Sequence, residues 1–381
     1  MPAKKNLSIL DISMNSGGAE KVISLLLKEL INDYNVYLIL FYDVIHFEIP
    51  KEVNTIILSK KNINRPFYLK ALDSIKFVFK YNKALKKNNI EYAVSFLAFP
   101  NLINGIISII NKKPKTYISE RGFPSDNTTS KTSLYISKIF YPLLYNRCYK
   151  LFSNSVYINK DLKENFGIKI PMEVIYNPIE KPNKIIESSK LNTVFDTLKI
   201  ITVGSVNRRK NQIMIIRAIE ASTINYKLNI LGGGNLEDYL LGEIKSKKLE
   251  KQVFLKGIVK NVNDYLVNSH CFVLSSFTEG FPNALLEAMA IGLPSISTNC
   301  LSGPLELLND NEDVIIENGT FFKAKYGILI NNDDYIGLQK AIDFLNNNPQ
   351  ERERYSLLSL ERAKKYLLKN IYLEFNQFIK N

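Results

Sequence analysis

The chain has 381 residues, 46% hydrophobic and 23% charged, which allows two domains with a full core each and excludes a disordered protein. Its net charge of +13 is uneven, since residues 1–180 carry 25 Lys and Arg against 15 Asp and Glu while residues 181–381 carry 25 against 22. Three scattered cysteines, Cys148, Cys271 and Cys300, exclude a disulfide framework, and no apolar run reaches the roughly 20 residues that cross a bilayer.

In chain order, "MPAKKNLSILDIS" enters a strand directly and shows no signal-peptide region. Short apolar strands then alternate with helical patterns from end to end, which predicts doubly wound α/β domains. The first-half strands read "LSILDIS", "NVYLILFY", "NTIILS", "YAVSFL", "KTYISE", "YKLFSNS" and "MEVIYNP". After the first of them, "NSGGAEKV" places Gly17 and Gly18 where a diphosphate or sugar can approach bare backbone, and an ordinary tight turn is the alternative. In the segment from Arg65 to Asn89, Lys76, Lys80, Lys83 and Lys87 fall on one helical stripe. Ala71, Ile75, Val78 and Leu85 lie roughly opposite, and Phe67, Tyr68, Phe77 and Phe79 enlarge the apolar surface. "NLINGIISII" reads as a buried helix, and "YISERGFP" ends a strand with Glu120 and Arg121 exposed near a ligand cleft. "KTSLYISKIFYPLLYNRCYK" repeats the mixture of aromatics and cations. Two such segments in the basic half favour adsorption to an anionic membrane surface, at about 1 kcal/mol per near-surface cation. Nucleic acid would use the same charge, but no recognition module accompanies it.

Between Asn177 and Thr197 the chain is polar and holds two prolines, so a linker is expected with the domain boundary near Lys184. The expected division is 1–183 and 184–361, with a last helix over about 362–381 that packs back on the first domain. The second-half strands are "LKIITVGSV", "YKLNILGGG", "VFLKGIV", "HCFVLSS", "LPSIST" and "YGILI", each half forming a parallel sheet. "LGGGN" is not a dinucleotide motif, because Glu237 occupies the third glycine position of G-x-G-x-x-G. After "KIITVG", Arg208, Arg209 and Lys210 supply cations where a diphosphate would lie. After "CFVLSS", the turn "FTEGFPN" opens a helix whose first amides and dipole suit phosphate. Glu279 precedes that helix and would face a sugar; Glu287, further along, is placed to take ribose hydroxyls. The alternative is that Glu279 caps the helix and Glu287 is merely solvated. No D-x-D pair occurs, so no metal is implied.

"TEGFPNALLEAMAIGLPSIST" resembles the E-x7-E signature of retaining glycosyltransferases of the GT-B fold, family 4. "MNSGGAEKVISLL", "VIYNPI", "VGSVNRRKNQIMIIRAI", "NILGGGNLEDYL" and "SGPLELL" are similar to further family segments in the same order, covering nearly the whole chain. The resemblance implies two Rossmann-like domains facing across a cleft and transfer of sugar from a nucleotide-sugar, most simply a UDP-sugar, without metal or further cofactor. It implies Glu279 and Lys210 as catalytic groups. Ser205, Arg208, Arg209, Lys210, Gly280, Phe281, Pro282, Asn283, Ala284 and Glu287 would bind the donor together with Gly17 and Gly18, and Glu120 and Arg121 the acceptor. Two positions depart from the family: Ser205 stands where an arginine is usual, and no histidine lies near Glu120. With the basic, aromatic first half, the expected acceptor is a polyprenyl-diphosphate-linked sugar or oligosaccharide at the cytoplasmic membrane face, in bacterial surface polysaccharide assembly. A non-catalytic membrane-associated scaffold of the same fold is the alternative.

Overall fold

The computed structural model describes residues 3–62, 67–126 and 131–381, and the side chains of 67–72 and 131–133 fall outside that description. The chain divides into two compact units, Met1–Pro178 with Leu368–Asn381, and Ile179–Leu367. The change of unit thus falls at Pro178 rather than near Lys184. The reason is that the segment before Lys184 is already bonded into the second unit, where Ile179 N donates to Tyr366 O at 2.8 Å.

The first unit is built on strands β1 (Lys5–Asp11), β2 (Tyr34–Tyr42), β3 (Asn54–Ser59), β4 (Tyr92–Phe96), β5 (Lys115–Glu120), β6 (Lys150–Ser153) and β7 (Met172–Val174). They form one parallel sheet in the order β3-β2-β1-β4-β5-β6-β7. Helices α1 (Gly18–Asp33), α2 (Phe67–Lys87), α3 (Ala98–Ile110), α4 (Lys131–Tyr145) and α5 (Val156–Phe166) connect them. Strands covered on both faces read as continuous apolar runs, and β4 is buried at every residue.

In α2 the apolar residues divide between core and solvent. Phe77, Val78, Tyr81 and Leu85 form its buried side, whereas Ile75 and Phe79 are exposed. A helix turns about 100° per residue, so Phe77 lies roughly opposite both Ile75 and Phe79, and burying Phe77 turns those two outward. Phe67, Tyr68 and Ala71 lie outside the described side chains. In α3, Ile103 and Ile107 are buried but Ile109 and Ile110 are about half exposed, so that helix is buried on one side only.

The second unit holds β8 (Leu198–Val203), β9 (Tyr226–Leu231), β10 (Val253–Gly257), β11 (Cys271–Leu274), β12 (Ser295–Thr298), β13 (Phe321–Lys323) and β14 (Ile328–Ile330) in the order β10-β9-β8-β11-β12-β14-β13. Its helices are α6 (Gln212–Glu220), α7 (Glu237–Ser246), α8 (Val262–Val267), α9 (Asn283–Ile291), α10 (Pro304–Asn309), α11 (Tyr335–Asn347) and α12 (Pro349–Lys364). This sheet is not wholly parallel: β13, absent from the sequence reading, pairs antiparallel with β14 at the edge. Three residues between short turns leave too little alternation to read as a strand.

The last helix, α13 (Leu368–Lys380), returns to the first unit. Phe375 and Phe378 are fully buried, with ring centroids 5.5 and 5.3 Å from Phe152, and Tyr117 Oη donates to Ile379 O at 2.9 Å. The return begins at Leu368, not near 362, because Arg362 is tied to Asp310 at 2.6 Å within the second unit. All three cysteines are buried free thiols.

Candidate active site

In the second sheet the strand order reverses between β8 and β11, and in open α/β sheets ligands bind beyond the strand ends at such a point. The loop leaving β8 is shaped by two asparagines. Asn207 Oδ1 accepts from Lys210 N at 3.1 Å, and Asn211 takes a left-handed φ of 50° before α6, a conformation asparagine tolerates. The loop leaving β11 lies against it, with Phe277 N donating to Arg209 O at 2.8 Å and Ser275 Oγ to Lys210 O at 2.7 Å. A third loop, after β12, closes the other side through Ser302 Oγ, which donates to Gly280 O at 2.5 Å. Gly303 belongs to that loop with φ of 93°, and a Cβ there would meet Pro282 Cδ at 2.4 Å, so only glycine fits.

These loops bring together residues 69 positions apart. Lys210 Nζ stands 2.5 Å from Glu279 Oε1, and Arg209 Nη1 is 3.5 Å from Glu279 Oε2. Ser276 Oγ donates to the same Oε1 at 2.6 Å. Glu279 is only 5% exposed. Burial opposes its charge, but Lys210, then Arg209, and hydrogen bonds from Lys210 and Ser276 outweigh it and hold the carboxyl below the usual carboxylate range. Glu279 is therefore a fixed anion, and much of the Lys210 charge is engaged by it rather than standing open. Arg208 and Arg209 are exposed at the same loop, as is Ser205, whose carbonyl accepts from Gln212 Nε2 at 3.0 Å.

Helix α9 begins at Asn283, and its N-cap residue, Pro282, makes no side-chain capping hydrogen bond. Glu279 does not cap that helix; its carboxylate is spanned by Lys210 and Ser276 instead. Phe281 and Pro282 are buried, Phe281 with its ring 5.5 Å from Tyr366, so they prop the turn through packing. Asn283 and Ala284, at the first turn, and Glu287, one turn further, are half-buried.

In the first unit, Gly17 precedes α1 with a φ of −87°, so no left-handed backbone calls for glycine there, and Gly18 opens the helix. Glu120 and Arg121 are not exposed as expected: they are 1% and 9% accessible. Tyr145 Oη donates to Glu120 Oε2 at 3.1 Å, and burial pushes that carboxyl up to about 7. Arg121 donates to Asn177 Oδ1 at 2.9 Å, and its guanidinium lies 4.9 and 5.1 Å from the rings of Phe96 and Phe152. A strand end reads as exposed in sequence, but flanking aromatics from β4 and β6 cover this one. Among the described residues no group of three or more His, Cys, Asp or Glu is placed to hold a metal ion. The sequence reading missed Ser275 and Ser276; two polar residues directly after an apolar strand were the available signal.

Residues 183–357 match the family described as Glycosyl transferases group 1. A protein of Campylobacter jejuni, the N-acetylgalactosamine-N,N'-diacetylbacillosaminyl-diphospho-undecaprenol 4-alpha-N-acetylgalactosaminyltransferase, is 30% identical over 368 residues, 95% of this chain and 96% of that one. The chain belongs to the glycosyl transferases group 1 family. A second Campylobacter jejuni relative of this glycosyltransferase, the GalNAc-alpha-(1->4)-GalNAc-alpha-(1->3)-diNAcBac-PP-undecaprenol alpha-1,4-N-acetyl-D-galactosaminyltransferase, is 26% identical over 98% of each chain. Among solved structures, the sucrose-phosphate synthase of Thermosynechococcus elongatus superposes with a TM-score of 0.82 at 15% identity, covering 99% of this chain and 98% of that one. Anabaena HepE in complex with UDP-glucose gives 0.76 at 15% identity over 98% and 99%. The fold of this glycosyltransferase is GT-B.

Proposed function

We propose that this glycosyltransferase moves a sugar from a UDP-sugar to a polyprenyl-diphosphate-linked sugar acceptor, with retention at the anomeric carbon, in bacterial surface polysaccharide or glycan assembly. The observation that carries the reading is the Lys210–Glu279–Ser276 constellation beside the start of α9. A diphosphate placed there meets Arg208, Arg209, the remaining donors of Lys210 and the helix amides, a preorganised electrostatic field for a leaving group. In this reading those groups, with no metal or further cofactor, stabilise the departing nucleoside diphosphate. Gly280, Phe281, Pro282, Asn283 and Ala284 shape the phosphate corner, Glu287 takes ribose hydroxyls, and Glu279 holds the sugar. The acceptor oxygen forms its bond to the anomeric carbon on the face from which the phosphate oxygen leaves, and that phosphate oxygen takes the acceptor proton. Gly17 and Gly18, at the start of α1, offer bare backbone that a phosphate or sugar can approach. Glu120 and Arg121, being buried, would support the acceptor side by shaping the strand ends rather than by open contact.

The acceptor class rests on the undecaprenol-linked substrates named for the two Campylobacter jejuni relatives and on a surface of the first unit. On α4, Ile136, Ile139, Phe140 and Leu143 recur at helical spacing and are 46%, 52%, 42% and 52% exposed, while Tyr141, Leu144 and Tyr145 face the core. An apolar stripe turned to solvent on a basic unit suits the interface of an anionic membrane, and no helix among the described residues is long and apolar enough to cross one. The protein would then sit on the inner face of the cell membrane. The test is transfer from labelled UDP-N-acetylgalactosamine and other UDP-sugars to a polyprenyl-diphosphate-linked disaccharide. Glu279→Gln should lower kcat by about a hundredfold or more. Undiminished turnover in that variant, or no transfer from any UDP-sugar by the native protein, would remove the reading.

A further inference from the structure

Where β11 ends, two consecutive serines are buried and both hydroxyls serve the site. Ser275 Oγ binds the Lys210 carbonyl at 2.7 Å, and Ser276 Oγ binds Glu279 Oε1 at 2.6 Å. Ser276 is itself held from behind, because Thr298 Oγ1, at the end of β12, donates to its carbonyl at 2.6 Å. The two oxygens of Glu279 are therefore unequal. Oε1 receives two close donors, Lys210 Nζ at 2.5 Å and Ser276 Oγ at 2.6 Å, whereas Oε2 has Arg209 Nη1 at 3.5 Å. A carboxylate offers about four lone-pair sites, so Oε2 retains acceptor capacity on the side of the exposed arginine.

The two donors on Oε1 differ in what they can fix. Lysine ends a flexible four-carbon stem with rotatable donors and follows a carboxylate that turns. Serine has one side-chain torsion, and here its backbone is pinned between strand ends.

We propose that Ser276 is a positioning residue that sets the rotation of the Glu279 carboxylate, so that Oε1 is occupied and Oε2 is presented to a hydroxyl of the donor sugar. Ser276 acts through Glu279 and does not touch substrate. The proposal rests on the transferase reading above. The charged and titratable groups facing Glu279 are Lys210 and Arg209 from the β8–α6 loop and Cys300 from the loop after β12. Burial and then the Glu279 charge push the Cys300 thiol up to about 12, so it is neutral at working pH and the carboxylate answers mainly to its donors.

The experiment compares Ser276→Ala and Ser276→Thr with the native protein in two measurements. The first is the pH–rate profile for sugar transfer. The second is the titration of the Glu279 carboxyl by carbon-13 NMR of glutamate-labelled protein, assigned with Glu279→Gln. Losing a hydrogen bond to a charged group should lower kcat in Ser276→Ala by about tenfold, with the donor KM changed by less than about twofold. The same loss destabilises the carboxylate, so the acid limb of the profile and the Glu279 titration both move to higher pH. Ser276→Thr, which keeps the hydroxyl, should restore both. A merely structural serine would leave the titration and the acid limb in place; that result, or an Ala variant with native kcat, overturns the positioning role. A titration shifted in Ser276→Ala, with a native protein that transfers no sugar, would instead overturn the transferase reading and the catalytic half of this proposal with it.

Discussion

Replacing Lys210 by methionine removes the ammonium and keeps the stem, which isolates the charge facing Glu279. In the native protein the two groups are 2.5 Å apart, with side chains 14% and 6% exposed. Removing one partner of a buried pair costs about 3–5 kcal/mol, because the remaining charge stays desolvated. Ser276 still donates at 2.6 Å and Arg209 remains at 3.5 Å, so the lower end, about 3 kcal/mol at neutral pH, is the expected loss. The pH dependence has a definite sign. Glu279 is held below its ordinary 4.5 in the folded chain, so its contribution to native stability is complete above that pH and is lost as pH falls through the lower folded value. In Lys210→Met the folded value rises, and the stranded carboxyl takes up a proton before the unfolded chain does. The deficit relative to the native protein therefore shrinks as pH is lowered from about 7 to about 5. Urea denaturation followed by circular dichroism measures this, the chain having no tryptophan to report by fluorescence. A deficit under about 1 kcal/mol at neutral pH, or one that widens in acid, would refute the claim that the pair is buried and mutually dependent.

Two further perturbations address other parts of the molecule. Ile139→Asp with Phe140→Glu should weaken binding to phosphatidylglycerol vesicles by about tenfold or more in a sedimentation assay, with urea stability changed by less than about 0.5 kcal/mol because both residues are exposed. Unchanged vesicle binding would remove α4 as the membrane-facing surface. Gly303→Ala should destabilise the second unit by about 2 kcal/mol, since its φ of 93° is left-handed and the new methyl would press on Pro282 Cδ. Thermal melting with and without UDP reads this out, and a native midpoint would mean the loop relaxes around the methyl without strain.

Several features were legible before any fold was known. The alternation of strand and helix, the loop carrying Arg208, Arg209 and Lys210, and the turn at Glu279 were all readable, because each is a local pattern of apolar spacing, glycine and charge. The exposed apolar flanks of α2 and α4 were only half legible. The lysines and aromatics of α2 and α4 are visible in sequence, but which flank faces the core depends on a rotation set by the sheet beneath; Ile75 and Val78 share the apolar side of α2, yet Val78 is buried and Ile75 exposed. Glu120 and Arg121 were misread for a similar reason. A polar pair after a strand is normally exposed, and the coverage by Phe96 and Phe152 comes from neighbouring strands. The antiparallel β13 was too short to leave a period.

The amino-acid sequence alone determined the class of fold and the order of the loops at the strand ends, since hydrophobic periodicity and turn chemistry act over a few residues. Tertiary structure decided which of the charged residues meet. It set Lys210 on Glu279, turned Ser276 toward the same oxygen, buried Glu120, and returned α13 to the first unit. The physical reason is that a charge or hydroxyl is chosen by the few ångströms around it, and those neighbours come from chain segments whose separation in sequence carries no record of their distance in space.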